Sequence, residues 1–445
     1  MEELREENLN LSAPDWVQDN KIHEVFFCKA FLEKHPMICI NGTFFTVNGR
    51  ITDENKLKKE ILEWIEPYVT SGLAKKITSL MDMLRVKCYS PPLSVYTDRI
   101  HLANGTYYLS GEFSPEKDFC VNRLPVSYDP DAVAPSQWLA FLDQLLYPED
   151  IPTLQEYMGY CLIPTTKAQK MLFLVGKGGE GKSRIGLVMR SMLGDNMNTG
   201  SIQKVETNPF ARADLEHLLV MVDDDMKLEA LPQTNHIKTI VSAELPMDLE
   251  RKGQQSYQGS LSVRFLVFGN GTMKSLYDRS EGFFRRQIII TVRDKDKNRE
   301  DDPFLAEKLY SEKEGIFLWA LEGLKRLIQN NYHFTISERT KANMESAIKE
   351  GNNIVEFMES EGYFLFKADS QITSKDFYAI YELWCDDNTS KPVTSKSFST
   401  YLAQHEQEYN LEHTNNARNN QGRRVWGFWG IEPIVKVFVI VKVFV

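Results

Sequence analysis

The sequence predicts an α/β protein, and three observations carry that prediction. Four short apolar runs, at residues 171–175, 218–222, 263–269 and 287–292, alternate with helical stretches. Unbroken apolar runs of this length are typical of central parallel strands that helices cover on both faces. A glycine-rich loop follows the first run, and acidic residues follow the second. The 445 residues are 42% apolar, which leaves room for two to four globular domains.

Charge and cysteine content restrict the classes of partner and site. The formal net charge of −10 excludes a chain coated in basic surface, although a ring or groove can concentrate positive charge locally. The six cysteines are scattered without a C-x-x-C pair, which argues against zinc and disulfides and favours a reducing compartment. The N-terminus MEELREENLNLS lacks the apolar segment of a signal peptide, and no run of about 18 apolar residues predicts a membrane span. We therefore expect a cytoplasmic protein without a membrane partner.

Residues 1–130 predict an N-terminal α+β domain. Three Asn-Gly dipeptides, which favour tight turns, separate short apolar runs. Helical spacing appears between them in NKLKKEILEWIEPYV and GLAKKITSLMDMLRV. Residues 131–165 then predict a helical lead-in, with SQWLAFLDQLLY and IPTLQEYMGYCLI as its helices.

The glycine-rich loop lies in LFLVGKGGEGKSRIG and matches G-x-x-x-x-G-K-[ST] from Gly176 to Ser183. Glycines let the backbone come close to a ligand, and curled N–H groups at a helix N-terminus form an anion site. In this pattern Lys182 reaches the β- and γ-phosphates, and the Ser183 hydroxyl ligates Mg²⁺. A strand before the loop and a helix after it supply the required context, so we expect ATP and Mg²⁺ as cofactors. The predicted binding residues are Gly176, Gly178, Gly179, Glu180, Gly181, Lys182, Ser183 and Arg184.

Polar residues at the ends of the next two strands predict the rest of this site. In HLLVMVDDDMK we assign Asp223 to Mg²⁺ through water and Asp224 to polarising the attacking water, with Asp225 as the second choice. A solvated acidic loop is the alternative. Asn270 follows FLVFG, where its amide can position the water or sense the γ-phosphate.

Basic residues beyond the strands predict two further contacts. Arg285 and Arg286 precede a core strand, and either can stabilise charge on a transferring phosphoryl group, often from a neighbouring subunit. A pair of surface arginines is the alternative. The segment ELPMDLERKGQQSYQGSLSVRF predicts a hairpin with Arg251 and Lys252 at its tip, which suggests contact with a phosphodiester backbone. The alternative is a solvent-exposed hairpin that does not contact DNA.

The C-terminal part predicts a helical segment at 301–350 and a small domain at 355–433. Helix, helix and strand follow one another in SKDFYAIYELWCDD, SKSFSTYLAQHEQ and RRVWGFWGI, which is the pattern of a helix-turn-helix domain with a wing. We expect its aromatic residues to pack the core and its basic residues to contact phosphates. Those basic residues are Lys396, Arg418, Arg423 and Arg424. The tail at 434–445 repeats VKVFV and is either a terminal strand or a frameshifted end, so we assign it no role.

Together these motifs resemble a superfamily 3 helicase of the AAA+ class, and more closely the helicase half of phage, plasmid and poxvirus-type primase-helicases. The resemblance covers residues from about 20 to 433. VGKGGEGKS is similar to the family's phosphate loop, LVMVDDDM to its acidic strand, FGN to sensor 1 and EGFFRRQIII to its arginine-finger segment. IKTIVSAELPMDLERKG resembles the DNA-tracking hairpin and its helix. The resemblance implies an AAA+ P-loop ATPase core at 166–300, between the N-terminal domain and a C-terminal winged-helix domain.

The resemblance also implies a function. It is that of an ATP-dependent, hexameric replicative DNA helicase, moving 3′ to 5′, from a mobile element such as a phage, plasmid or genomic island. ATP binds between subunits, with Arg286 or Arg285 reaching in from the neighbour. One DNA strand passes through the central channel, and the winged helix contacts duplex or origin DNA. A separate primase or initiator protein is a further expected partner.

Other functions remain open at this stage. A non-translocating AAA+ ATPase, acting as an origin-binding initiator or a loader, would carry the same core motifs. A slow DNA-binding regulator and a small-molecule kinase are more distant alternatives. Larger relatives have an N-terminal primase module with metal-binding acids, and residues 1–130 contain no such constellation. We therefore expect no primase activity.

Overall fold

The computed structural model describes residues 14–434, with gaps at residues 19–20, 227–230, 232, 244, 254, 271–280, 297–299 and 301. Apart from Ile434, the tail that received no role lies outside the described residues. The chain divides into two compact units, of which the first ends at Met344 and the second begins at Glu345. Among the described helices, none is long and apolar enough to cross a membrane.

A small α+β lobe opens the first unit. Its elements are β1 (Val17–Gln18), β2 (Lys21–Ile22), α1 (Glu24–Lys34), β3 (Met37–Ile40), β4 (Thr43–Thr46), β5 (Gly49–Arg50), α2 (Glu54–Ile65) and α3 (Leu73–Lys87). Helix α2 shows how the sequence determines where a helix of this lobe begins and which face it buries. The Asp53 carboxylate accepts the backbone N–H of Asn55 at 2.9 Å and thereby caps the first turn. Leu57, Ile61 and Ile65 recur every four residues and bury one stripe of the helix in the lobe's core.

A four-stranded sheet connects this lobe to the centre of the unit. Its strands are β6 (Arg99–Leu102), β7 (Gly105–Tyr108), β8 (Phe113–Ser114) and β9 (Arg123–Leu124), in the order β8-β7-β6-β9. The buried Arg123 guanidinium donates to the carbonyl oxygens of Leu102 at 2.7 Å and Gly105 at 3.1 Å, which fixes β9 beside β6. The Asn122 amide donates to the carbonyl of His217 at 2.7 Å, so the sheet is also bonded to the central region.

The centre of the unit is built from alternating strands and helices. These elements are α4 (Ser136–Leu145), α5 (Ile151–Tyr160), β10 (Met171–Val175), α6 (Ser183–Leu193), β11 (Met197–Thr199), α7 (Ile202–Thr207), α8 (Pro209–Ala213), β12 (Val220–Met226), α9 (Asn235–Ser242), β13 (Met247–Leu249), β14 (Tyr257–Gly259), β15 (Arg264–Gly269), α10 (Glu281–Phe284), β16 (Gln287–Thr291), α11 (Leu305–Ser311) and α12 (Lys313–Gln329). Helix α13 (Glu338–Gly351) contains the boundary between the two units. Five strands form one parallel sheet in the order β11-β12-β15-β10-β16. The predicted α/β class is confirmed, and the four apolar runs supply β12, β15, β10 and β16. Strand β11 is an addition that the sequence did not predict.

Helices α5 and α12 approach each other closely because glycines lie at their contact. A Cβ on Gly159 would overlap the backbone of Ala320, and a Cβ on Gly323 would overlap the backbone of Gln155. The fully buried Glu156 carboxylate joins the same contact, since it accepts from the Arg326 guanidinium at 2.6 Å. Close helix packing here supports the inner face of the parallel sheet, with which both helices share one hydrophobic cluster.

We expect Gly159→Ala to lower the free energy of unfolding by about 1–3 kcal/mol, because the methyl group forces two backbones apart. Gly186→Ala is the matched control. Its Cβ would approach the Phe268 side chain at 3.0 Å and no backbone atom of another element, so we expect a smaller loss; the better helix propensity of alanine applies to both variants. Urea denaturation of both variants measures the difference. A Gly159→Ala protein as stable as the parent would contradict the close-contact explanation.

The second unit has its own antiparallel sheet and aromatic core. Its elements are α14 (Asn353–Met358), β17 (Phe364–Thr373), α15 (Ser374–Asp387), α16 (Ser395–Gln404), α17 (Glu406–Tyr409), β18 (Glu412–Arg418) and β19 (Arg424–Pro433). The sheet order is β17-β19-β18. Phe377, Tyr381 and Phe398 pack together, with the last two rings stacked at 4.7 Å. The Tyr381 hydroxyl donates to the buried Asn353 amide oxygen at 2.7 Å, so α14 is fixed against α15.

Candidate functional site

A cavity lies at the carboxyl edge of the parallel sheet, where the chain leaves β10, β12 and β15. It has a volume of about 770 Å³. Open α/β sheets bind ligands at this edge, because the loops that follow neighbouring strands meet there. The lining residues are Gln137, Ala140, Phe141, Gln144, Gly178, Gly179, Glu180, Gly181, Lys182, Ser183, Arg184, Asp224, Phe268, Gly269, Asn270, Glu300, Asp302, Pro303 and Leu305.

The glycine-rich loop between β10 and α6 forms one wall of the cavity. Gly178, Gly179 and Gly181 have φ values of 108°, 82° and 107°, a region in which side chains are strained. Gly176 is close-packed instead, since a Cβ there would lie 2.8 Å from a Glu180 carboxylate oxygen. These four glycines therefore let the loop curl tightly, and the loop presents its backbone to the cavity.

A buried ion pair occupies the middle of the loop. The Lys182 ammonium lies 2.6 Å from one Glu180 carboxylate oxygen, and the exposed fractions of the two residues are 8% and 2%. The other oxygen accepts the backbone N–H of Gly178 at 2.7 Å and also that of Lys177. Burial alone would raise the pKa of Glu180, but the hydrogen bonds from Lys182 and from backbone amides outweigh it and hold this pKa below its usual value. The carboxylate is therefore ionised inside the loop.

Helix α6 begins directly after the loop and brings two further predicted residues to the cavity. Ser183 is exposed in the first turn of the helix, and Arg184 beside it is half-buried. Both side chains line the cavity. The structure thus gathers the predicted binding residues from Gly178 to Arg184 at one wall, while Gly176 lies just behind them.

The two acidic residues of β12 have different surroundings. Asp223 is 5% exposed, and its carboxylate accepts the backbone N–H of Ile202 at 2.8 Å, at the start of α7. Asp224 is exposed and lines the cavity. Successive side chains of a strand point to opposite faces, which explains why only one of these two carboxylates reaches the cavity. Asp223 thus holds the start of α7, and its predicted Mg²⁺ role stays a prediction.

Asn270 and the arginine pair complete the predicted catalytic set, with different outcomes. Asn270 follows β15, is exposed and lines the cavity. Arg286 donates to the Ser242 hydroxyl at 2.7 and 3.1 Å and to the Gly282 carbonyl, so its guanidinium is bound within its own subunit. Arg285 is exposed, and its carbonyl accepts from Lys170. Neither arginine lines the cavity of this chain.

The predicted hairpin is formed by β13 and β14, which pair antiparallel. Arg251 is folded back against the body of the unit. Its guanidinium lies 2.5 Å from the Glu216 carboxylate and donates to the Tyr257 hydroxyl at 3.0 Å, while that hydroxyl donates to Glu216 at 2.6 Å. Lys252 is exposed at the turn beside Gly253, whose φ is 77°. The hairpin therefore presents Lys252 outward and uses Arg251 as an anchor.

The four predicted basic residues of the second unit are all exposed. Lys396 lies in the first turn of α16, and Arg418 faces Arg424 across the β18–β19 pair, next to Arg423. Trp426 on the same strand is 58% exposed, and its ring stacks on His413 at 4.7 Å between centroids. Exposed arginines and an exposed aromatic ring thus share the hairpin of this sheet.

The sequence did not predict several residues that shape these sites. Gln137, Phe141 and Gln144 line the cavity from α4, and their spacing at i, i+4 and i+7 was a detectable signal of one helix face. Glu300 and Asp302 line the opposite side. Ser242 binds Arg286, and Glu216 binds Arg251. No local sequence pattern predicts these two contacts, because the partners are distant in sequence.

Comparison with known proteins gives a likeness in fold. A family model described as a family of unknown function (DUF5906) matches residues 174–286, which span the glycine-rich loop, the acidic strand, the hairpin and the arginine pair. No curated protein matches the chain. The A-form apo structure of the NrS-1 C-terminal region superposes with a TM-score of 0.52 at 13% identity, covering 92% of this chain and 100% of that one. A further apo structure of that region gives a TM-score of 0.51 at 12% identity, covering 92% and 99%. At such identities the likeness shows a common fold.

Proposed function

We propose that this chain is an ATP-driven replicative DNA helicase of superfamily 3 and that it works as a hexameric ring. One observation carries the proposal. A glycine-rich loop with Lys182 and Ser183, a carboxylate from Asp224 and an amide from Asn270 line one cavity at the carboxyl edge of a parallel sheet. Phosphate-binding P-loop sites are built from these side chains in this arrangement.

The binding residues have distinct tasks in this proposal. Backbone N–H groups of the loop and the Lys182 ammonium bind the phosphates of ATP. The Ser183 hydroxyl and the Asp224 carboxylate are hard oxygen donors at the same cavity wall, and this donor set fits Mg²⁺. Bound Mg²⁺ supplies charge neutralisation between the phosphates. Asn270 orients the attacking water. We assign the metal-facing carboxylate to Asp224 rather than Asp223, because Asp223 already bonds to the backbone of α7.

Hydrolysis in this proposal requires a second subunit. Neither Arg285 nor Arg286 reaches the cavity of its own chain, and an arginine that stabilises the transferring phosphoryl group can come from a neighbour. The exposed Arg285 suits that role better than Arg286, whose guanidinium is bound to Ser242. A ring also explains how a chain with net negative charge can bind DNA. Identical hairpins place several copies of Lys252 around one channel, where positive charge is then concentrated.

DNA contacts are assigned to two surfaces. Lys252 contacts single-stranded DNA in the channel, while the second unit, proposed as a winged-helix domain, contacts duplex DNA through its exposed basic residues. Arg251 positions the hairpin through Glu216 rather than contacting DNA. The basic residues of the second unit are Lys396, Arg418, Arg423 and Arg424.

The experiment that tests this function is strand displacement on forked DNA with a 3′ or a 5′ tail. We expect ATP-dependent unwinding from the 3′-tailed fork, and electron microscopy of the same sample is expected to show six-membered rings. ATPase activity that DNA stimulates without strand separation would instead favour the non-translocating initiator or loader.

Replacing Lys252 with alanine is expected to reduce strand displacement at least about tenfold, because each subunit loses its outward phosphate contact. DNA-free ATP hydrolysis is expected to stay within about twofold of the parent, since Lys252 lies outside the cavity. Lys59→Ala removes another exposed lysine, from α2, and serves as the control. Equal unwinding by the Lys252→Ala and Lys59→Ala proteins would remove the DNA role of the hairpin.

A further inference from the structure

The Glu180 carboxylate occupies an unusual position for an acidic side chain. It lies inside the loop proposed to bind phosphates, where it accepts the N–H groups of Lys177 and Gly178. Its second oxygen lies 2.6 Å from the Lys182 ammonium. Two backbone amides and an ammonium that converge on one buried anion are the same donors that the loop would offer to a phosphate.

We infer that Glu180 is an intramolecular stand-in for a nucleotide phosphate and that ATP must displace its carboxylate from the loop in order to bind. The inference rests on the function proposed above and adds a regulatory role at that site. A second observation supports it. A Cβ on Gly176 would lie 2.8 Å from a Glu180 carboxylate oxygen and 2.6 Å from the Val292 side chain, so the carboxylate is in close contact with the loop backbone at Gly176.

The ATP phosphate and the Glu180 carboxylate compete for the loop because both are anions and both require the same hydrogen-bond donors. Two anions that share the same amides and the same ammonium repel each other, so phosphate and carboxylate cannot both be bound. A phosphate offers more acceptor oxygens and more negative charge than a carboxylate, and it therefore wins when the nucleotide is abundant. The apo loop meanwhile keeps Lys182 paired, which avoids an unpaired buried cation.

Glu180→Gln tests the inference, because glutamine keeps the size of the side chain and removes its charge. Isothermal titration with ATP and with tripolyphosphate is expected to give dissociation constants about tenfold lower than those of the parent, the change expected when a charged competitor is removed. Glu300→Gln is the matched control. It removes the same charge from the same cavity without touching the loop, so it measures the purely electrostatic gain.

Thermal unfolding gives an independent test, because Glu180→Gln is expected to lower the stability of the nucleotide-free protein while it raises the affinity for ATP. Without nucleotide, Glu180→Gln is expected to melt at a lower temperature than the parent, since the buried Lys182 loses its anionic partner. With saturating ATP the variant is expected to gain more in melting temperature than the parent gains, because tighter binding stabilises the folded state.

The outcomes separate this inference from the proposed function. If Lys182→Ala binds ATP as well as the parent does, the phosphate role of the loop is wrong. If Lys182→Ala loses affinity while Glu180→Gln gains no more than Glu300→Gln, only the inference about Glu180 is overturned. Weaker ATP binding by Glu180→Gln would also overturn it, because the carboxylate would then support the bound state instead of competing with it.

Discussion

Lys182→Ala is expected to lower ATP turnover at least about 100-fold, the cost typical of losing one electrostatic contact to the reacting phosphates. The reason is positional, because the Lys182 ammonium is buried in the loop, lines the cavity and lies within 2.6 Å of an anion. We expect ATP affinity to fall as well. Phosphate release under saturating ATP and titration calorimetry measure the two effects.

Lys177→Ala is the matched control for this prediction. Lys177 belongs to the same loop, but its side chain is 80% exposed and pairs with Asp294 at 2.6 Å, outside the cavity lining. We expect its turnover to remain within about twofold of the parent, as for exposed ion pairs of small energetic weight. Because Lys182→Ala also leaves Glu180 without its partner, the melting temperature of each variant is measured in parallel. Similar losses in two folded variants would show that turnover does not depend on the position of Lys182.

Asp224→Asn is expected to give the second large effect, a fall in turnover of about 10²–10⁴-fold with ATP binding retained. Asparagine keeps the size of the side chain and loses the negative charge that faces the cavity. Because the Asp224 carboxylate is proposed to hold Mg²⁺ beside the phosphates, the loss is expected in the chemical step rather than in nucleotide affinity. Single-turnover hydrolysis and calorimetry separate the two.

Asp223→Asn is the informative comparison, because it removes the neighbouring charge from the same strand. An asparagine oxygen can still accept the Ile202 N–H, so we expect a smaller loss of turnover than for Asp224→Asn. We expect Asp223→Asn mainly to lower the free energy of unfolding, by about 1–3 kcal/mol, because the buried hydrogen bond to Ile202 weakens. A folded Asp223→Asn protein that loses turnover as fully as Asp224→Asn would return the metal role to Asp223.

Local patterns predict the α/β core because its signals are short-ranged. An unbroken apolar run such as 171–175 has few alternatives to a buried strand, and three of the four glycines after it adopt the positive φ that glycine favours. Strand β11 escaped prediction because only three residues form it and two of them are exposed. Strands β17 and β18 of the second unit were not predicted either, because β18 is largely polar and β17 is exposed through its middle.

The candidate site was less predictable because side-chain direction depends on distant partners. The sequence DDD at 223–225 does not show which carboxylate faces the cavity. The direction of each side chain depends on the register of β12 against β15. Likewise, RR at 285–286 does not reveal that Ser242 binds one guanidinium and leaves the other exposed. The sequence likewise does not reveal that the Glu180 carboxylate pairs with Lys182 inside the loop; its predicted cofactor role stays a prediction.

The anchor of the hairpin has a mechanical consequence. Glu216, which binds Arg251, lies four residues before β12, and Asp224 lies near the far end of that strand. Strand β12, which is paired with β15, therefore joins the cavity to the base of the hairpin by a short stretch of chain. In the helicase proposed above, a shift of β12 at the cavity is expected to move the base of the hairpin that carries Lys252.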